Sequence, residues 1–254
     1  MEKTPLFISF CAQKGGIGKT TFTIFAAAWF YFKENLNVLV VDCDYPQHSI
    51  DELRNREKKA LSESDRYKLL LMRQYEKYPK KAFPILRCRP DNAITETRKF
   101  IEKSGRHFDY VLFDLPGTVN TVGVIHVISE MDYIFVPMRP DRLVMQSTLN
   151  FARTILERFV NNPAANTKDL YLFWNMVDRR ERPDLCAPYE NLLETINLKY
   201  FKTRIPVRSR FNKEFADTKG DISRSTIFMP DVRFMDECNF SALMQEVAEV
   251  IKTE

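Results

Sequence analysis

The sequence predicts a doubly wound α/β fold, a mostly parallel sheet with helices on both faces. Three observations carry that prediction. Short strand-like runs recur along the 254 residues: Leu6–Cys11, Val38–Val41, Ile85–Cys88, Phe108–Phe113, Tyr133–Val136, Leu170–Trp174 and Phe201–Ile205. Val38–Val41, Tyr133–Val136 and Leu170–Trp174 are apolar from end to end and Leu6–Cys11 and Phe108–Phe113 nearly so, which marks parallel strands buried on both faces; Phe201–Ile205 carries Lys202, Thr203 and Arg204. Patterns of helical spacing separate several of them, and a glycine-rich turn joins the first run to the first helical pattern.

From Lys19 to Lys33, Phe22, Phe25, Ala26, Trp29 and Phe30 recur at helical spacing, giving a helix with one core face. Val38–Val41 ends in Asp42-Cys43-Asp44, two carboxylates at the carboxyl end of a strand, where open α/β sheets bind ligands. Residues 47–78 contain no glycine and are charged and helix-prone. They read as a helix across the ligand face or as a partner surface. Asp91 is placed to cap a helix running to Lys103. The run from Phe108 ends at Asp114, followed by Leu115-Pro116-Gly117, and Pro137 stops the run from Tyr133. Gln146–Asn161 has helical spacing. So does the segment holding Phe240, Leu243, Met244, Val247, Val250 and Ile251, whose Glu246 and Glu249 favour a packed helix over a membrane-surface one.

The turn reads Lys14-Gly15-Gly16-Ile17-Gly18-Lys19-Thr20-Thr21. Glycines let backbone N–H groups turn inward on a phosphate, and the following helix aims its positive end at the same point. Lys19 then reaches the outer phosphates and the Thr20 hydroxyl can ligate Mg²⁺. The ordinary phosphate-loop pattern is not met as written, because its first glycine falls on Gln13. Instead there is a second lysine, Lys14. Asp114 at its strand end has the form of the acid that holds the metal through water, with the Gly117 backbone beside the γ-phosphate.

In these motifs the chain resembles the deviant Walker A ATPases of the ParA/MinD family, most strongly over residues 7–49, 108–141 and 201–215. The resemblance implies ATP and Mg²⁺ as ligands, and ATP hydrolysis switching the protein between monomer and ATP-bridged homodimer. It gives Lys14 a role across the dimer at the partner's nucleotide, Lys19 a role at its own, and Asp44 the attacking water. It places the metal with Thr20, Asp42 and Asp114, and the nucleotide with Gly15, Gly16, Gly18, Lys19, Thr20 and Thr21. Asn175 is either an adenine contact or an ordinary turn residue, and Pro206 opens a loop similar to the one over the base. Tyr45 interrupts the family's Asp-Pro-Gln stretch. The runs Arg87–Asn92 and Asp42–Ser49 look most like TraA-type ParA proteins of conjugative transposons. The resemblance further implies non-specific DNA binding, a ParB-like or conjugation partner protein, and association with the nucleoid.

Composition bounds the rest. A hydrophobic share of 44% is enough for a sizeable core, and a formal charge of +4 is too weak alone to establish a nucleic-acid partner. The basic run Lys199, Lys202, Arg204, Arg208, Arg210, Lys213, Lys219 and Arg224 is the DNA candidate, with Arg208, Arg210 and Lys213 foremost; Glu214, Asp217 and Asp221 interrupt it. Five cysteines without C-x-x-C spacing read as reduced, buried thiols in a cytoplasm. No stable membrane insertion is expected, since the longest apolar run, Ile24–Phe32, cannot span a bilayer. No second domain is marked, so residues 1–254 read as one ATPase domain. Against a MinD-like positioning ATPase stands the acidic final helix. Against a tyrosine kinase stands the lack of a tyrosine cluster at the end. Against a metabolic ligase or electron-donating ATPase stands the lack of a substrate pocket signal or paired cluster cysteines.

Overall fold

The parallel strands form as predicted, each apolar run lying between two helical layers. The structure is a computed structural model that describes residues 4–118, 121–178, 180, 184–213 and 222–252. Seven strands make one sheet: β1 (Leu6–Phe10), β2 (Val38–Asp42), β3 (Ile85–Arg87), β4 (Tyr110–Asp114), β5 (Tyr133–Met138), β6 (Asp169–Val177) and β7 (Tyr200–Pro206). Their order is β3-β2-β4-β1-β5-β6-β7, and every pairing is parallel. The chain therefore builds outward on one side of β1, returns with β4, and then builds outward on the other. The crevice at that reversal lies at the carboxyl end of β1, which is where the glycine turn follows.

Alternate side chains feed two cores. Ile8, Phe10, Val38 and Val40 enter one, while Phe7, Cys11, Leu39 and Val41 enter the other. The first core is covered by α1 (Lys19–Ala28, carried on by a wider turn over Trp29–Lys33), α2 (Ser49–Glu63), and later by α8 (Val232–Glu237) and α9 (Phe240–Lys252). The second is covered by α4 (Ala93–Ser104), α5 (Val122–Ser129), α6 (Arg142–Ile155) and α7 (Ala187–Thr195). Helix α3 (Asp65–Lys77) lies outermost and has no buried residue.

Helix α1 is buried nearly all round rather than on one stripe, because α8 and α9 close over its outer side. The Phe25 ring lies 5.2 Å from Phe240 and 6.3 Å from Phe234. The apolar face of α9 (Phe240, Leu243, Met244, Val247 and Ile251) is consumed in this contact, as the packed-helix expectation requires. Asp91 does not cap a helix. It lies in a 3₁₀ turn (Pro90–Asn92), and a Cβ on Gly123 would fall 2.2 Å from its Oδ1. Helix α6 starts earlier than its apolar spacing suggests, since Asp141 accepts from the Leu143 and Val144 amides. Helix α5, rich in Val and Ile, has no counterpart in the sequence reading; its β-branched residues obscure the helical period.

Residues 47–78 form two helices, α2 and α3, broken at Ser64. A buried polar network ties them to the segment before α8. Arg54 donates to the Thr226 hydroxyl (2.7 Å) and to the carbonyls of Thr226 (2.7 Å) and Phe83 (3.0 Å). Glu57 accepts from the Thr226 amide (3.0 Å) and hydroxyl. Burial raises the Glu57 pKa, and Ser225, Thr226 and Arg54 oppose that rise. Removing one partner leaves the other charge buried, so Glu57→Ala should cost about 3–5 kcal/mol. A denaturant titration checks this; a loss below about 1 kcal/mol would show that the network is not holding the hairpin.

Candidate functional site

The glycine turn supplies what a phosphate needs. Gly16 (φ +73°) and Gly18 (φ +92°) adopt left-handed backbone that other residues resist. Gly18 opens α1 with no side-chain cap, and no acid occupies the first turn, so the helix's leading N–H groups stay available to an anion. Lys19 is folded inward, 8% exposed, its Nζ 3.4 Å from the Lys14 carbonyl. Lys14, on the same loop, is exposed. Gly117, after β4, faces this loop: a Cβ there would sit 3.5 Å from Lys19 Nζ and 3.7 Å from the Gly15 Cα. The bare glycine leaves that space to a ligand.

Three carboxylates converge on the same end of the sheet. Asp114 is fully buried, and neither oxygen has a hydrogen-bond partner among the described residues. Burial raises its pKa to about 8, with Asp42 and Asp44 adding to the rise. The nearby Thr20 hydroxyl and Lys19 pull the other way, the hydroxyl without reaching hydrogen-bond geometry. An orphaned buried carboxyl beside a threonine hydroxyl is a donor set that suits a hard divalent cation. Asp44 is less buried; desolvation raises its pKa, and Lys19 opposes this.

Asp42, expected among the metal ligands, is engaged by backbone. Its Oδ2 accepts from the Ile50 (3.0 Å) and Asp51 (2.9 Å) amides and its Oδ1 from the Asp44 amide (3.2 Å). The carboxylate thus ties the Asp44 backbone to the first turn of α2. His48 lies in the same loop and is buried. It is 3% exposed at φ +46°, with Nδ1 3.2 Å from the Asp42 carbonyl.

On the other side of the loop a cavity of about 410 Å³ opens between Gly18, Thr21, Asn175, Pro206 and Arg208. Asn175 lies within β6, not after it. Its amide donates to the Ile17 carbonyl (2.9 Å) and its oxygen accepts from the Met176 amide (2.8 Å). It thus ties β6 to the phosphate loop and lines the cavity from behind. Arg139, directly after β5, joins the lining; β5 itself runs through Pro137 to Met138, past the point where the proline was expected to stop it. A larger cavity, about 590 Å³, opens nearby, but Asp178 and Asp184 line it, and its Arg204 is already engaged by acids. Acidic walls make it the poorer home for phosphates.

The basic run of the C-terminal half is largely neutralised. Lys199 pairs with Asp169, Lys202 with Glu194 (3.2 Å), and Arg204 with Asp184 and Glu190 (2.8 Å each). Arg210, expected on DNA, is partly buried; its Nε donates to the Ser223 hydroxyl (3.1 Å) and its guanidinium stacks on Phe234. Arg208 is exposed at the 410 Å³ cavity. Lys213 is exposed, while Lys219, Glu214, Asp217 and Asp221 lie outside the described residues. All five cysteines are buried and free.

The sequence profile of the CobQ/CobB/MinD/ParA nucleotide binding domain matches residues 8–221. The chain belongs to that family. Among solved structures, a putative plasmid partition protein from Borrelia burgdorferi bound to AMPPNP is similar at 18% identity, covering 88% of this chain and 95% of that one, TM-score 0.55. The MinC:MinD cell division complex of Aquifex aeolicus gives 16% identity, 82% and 83% coverage, and TM-score 0.55. Cobyrinic acid a,c-diamide synthase from Mycobacterium smegmatis, with ADP and magnesium, gives 19% identity, 80% and 87% coverage, and TM-score 0.53. At these identities the likeness is one of fold. No curated protein matches the chain. The ParA/MinD resemblance, the α/β fold and a nucleotide-binding family of ATPases are thereby established. Among the described residues no helix is long and apolar enough to cross a membrane.

Proposed function

We propose that the protein hydrolyses ATP (ATP + water → ADP + phosphate) and uses the γ-phosphate to switch between monomer and ATP-bridged dimer. As a dimer it holds DNA without regard to sequence, in the partition or transfer of a plasmid or conjugative element, with a small ParB-like or conjugation partner setting its turnover. The observation that carries the reading is the pair of lysines on one loop, Lys19 turned inward and Lys14 exposed. One serves the protein's own nucleotide and the other is left for a partner's. Val122 (85% exposed) and Leu143 (76% exposed) open helices at this same edge of the sheet, an apolar surface that a second copy would cover. A solved ParA of pNOB8 bound to nonspecific DNA shares the fold at 16% identity and TM-score 0.53, which supports the DNA part of the reading.

The backbone of Gly15–Gly18 and the head of α1 bind the phosphates, and Lys19 neutralises the outermost. Thr20 and Asp114 would hold Mg²⁺, which when bound supplies positive charge against the phosphate oxygens. Asp44, placed by Asp42, orients the attacking water. The cavity between Asn175, Pro206 and Arg208 takes the base.

Asp44→Ala tests the reading. Hydrolysis, read as phosphate release, should fall about 100-fold or more, while ATP affinity stays within a few-fold. Undiminished hydrolysis would remove Asp44 from the chemistry. A MinD-like membrane reading lacks a corresponding feature here, because the apolar face of α9 is already packed into the core.

A further inference from the structure

The charge of this protein is concentrated in one place. Residues 49–81 hold ten lysines and arginines against six carboxylates, an excess of four that equals the formal charge of the whole chain, +4. The rest of the sequence balances to zero. This segment is the α2–α3 hairpin and the turn after it. Its buried members are engaged inside: Arg54 and Glu57 in the Thr226 network, and Lys80 on the Tyr31 and Leu36 carbonyls (3.1 and 3.0 Å).

On α3, Lys68 pairs with Asp65 (2.8 Å), and the other three cations are ordered. Arg66, Arg73 and Lys77 are spaced i, i+7, i+11, which sets them in one stripe along the helix, about 16 Å long. All three are exposed. Arg66 and Arg73 make no hydrogen bond or ion pair with any described residue, and Lys77 lies only over the Tyr78 ring. The opposite side of α3 is fastened down. Tyr67, Leu70 and Leu71 pack on Ile227 and Phe228, and Gln74 bonds the Ile227 carbonyl (3.0 Å) and the Met229 amide (2.6 Å). The stripe is therefore carried outward on a rigid support. In the C-terminal basic run, by contrast, Lys199, Lys202 and Arg204 are held in ion pairs, and Arg210 is partly buried on Ser223 and Phe234.

We infer that the α2–α3 hairpin, through Arg66, Arg73 and Lys77, is the surface that grips the phosphate backbone of duplex DNA. This rests on the DNA-binding reading above and moves its contact from the C-terminal half to this hairpin. Charge complementarity selects the partner. DNA presents about one phosphate per 1.7 Å of axis, so a 16 Å row of three cations meets several. Exposed Leu69, Met72 and Tyr75 share the outer side of α3. A lipid surface is disfavoured because Asp65 and Glu76 lie on the same outer side and would be driven into its apolar layer. Phosphate contacts carry no base information, so binding is indifferent to sequence. One stripe per protomer holds weakly; two stripes on one ATP-locked body hold strongly. The hairpin is also joined to the nucleotide, since the first turn of α2 hangs on Asp42, which positions Asp44.

The test is a mobility-shift titration of a random duplex with ATP, between about 50 and 200 mM salt. Wild type is compared with R66Q/R73Q/K77Q and with K103Q/R106Q/R233Q, which removes three exposed cations elsewhere. The hairpin variant should bind at least tenfold more weakly. Its log–log salt slope should be shallower by about three for each hairpin engaged. The second variant should stay close to wild type. Equal losses in the two variants, or no wild-type shift at low salt, would overturn the inference. So would wild-type co-sedimentation with phosphatidylglycerol vesicles that the hairpin variant loses while its DNA binding is unchanged. ATP-dependent dimerisation is followed in parallel by light scattering. Its absence in wild type would sink the nucleotide reading, whereas its presence without DNA binding would sink only this one.

Discussion

Asp114→Asn is expected to make the nucleotide-free protein more stable at pH 8 and to abolish its response to Mg²⁺. The carboxyl has a pKa of about 8 in the fold, against 3.8 when free in solution. Between those values the folded form keeps a proton that the unfolded form has released. The folded state therefore loses stability as pH rises from about 4 to about 8, on the order of 1.4 kcal/mol per pH step at most. Asn removes that loss but leaves a buried amide in the same orphaned position, which costs about 1–3 kcal/mol. The net gain at pH 8 should be about 2–4 kcal/mol, or roughly 5–10 °C in melting temperature for a chain of this size. At pH 5 the gain should vanish, because Asp114 is then protonated. In the wild type, Mg²⁺ with ATP should displace the proton, visible near neutral pH as proton release that depends on the buffer's ionisation enthalpy. A variant that is less stable than wild type at pH 8 would show that Asp114 is satisfied in the apo protein and not held in reserve for a cation.

Lys19→Ala carries the other large effect. The ammonium lies inside the loop, and among the described residues its one hydrogen bond is a long one, to the Lys14 carbonyl at 3.4 Å. Its loss should barely alter the apo protein. It should lower ATP affinity on the order of 100-fold, the worth of one or two charge-assisted contacts to phosphate. Calorimetric titration of ATP with Mg²⁺ reads this directly. Unchanged affinity would remove the loop from nucleotide binding.

The parts of the fold that were legible in the sequence were those set by local pattern. Each apolar run became a strand because a parallel strand between two helical layers admits few polar residues. The phosphate loop was legible because its glycines, lysine and threonine are adjacent in sequence. What escaped depends on contacts distant in sequence. The Ile50 and Asp51 amides that the fold brings onto the Asp42 carboxylate cannot be read from the Asp42–Asp44 motif alone. Lys202 and Arg204 read as a free basic run until Glu194, Asp184 and Glu190 fall beside them. Asn175 reads as an adenine contact or a turn residue, and its tie to the Ile17 carbonyl emerges only when the β6 end meets the loop. Conversely, residues 47–78 read only as a helix across the ligand face or a partner surface. The basic stripe of α3 stands out once Lys199, Lys202 and Arg204 are seen to be paired.

If the γ-phosphate drives association of two copies, the mass in solution reports it. The protomer mass is 29.9 kDa. Light scattering of Asp44→Ala, used to suppress turnover, should give about twice that mass in saturating ATP with Mg²⁺ and the protomer mass in ADP. Adding Lys14→Ala should return the ATP sample to the protomer mass. A protomer mass in ATP, or the same dimer with ATP, ADP and no nucleotide, would contradict the account.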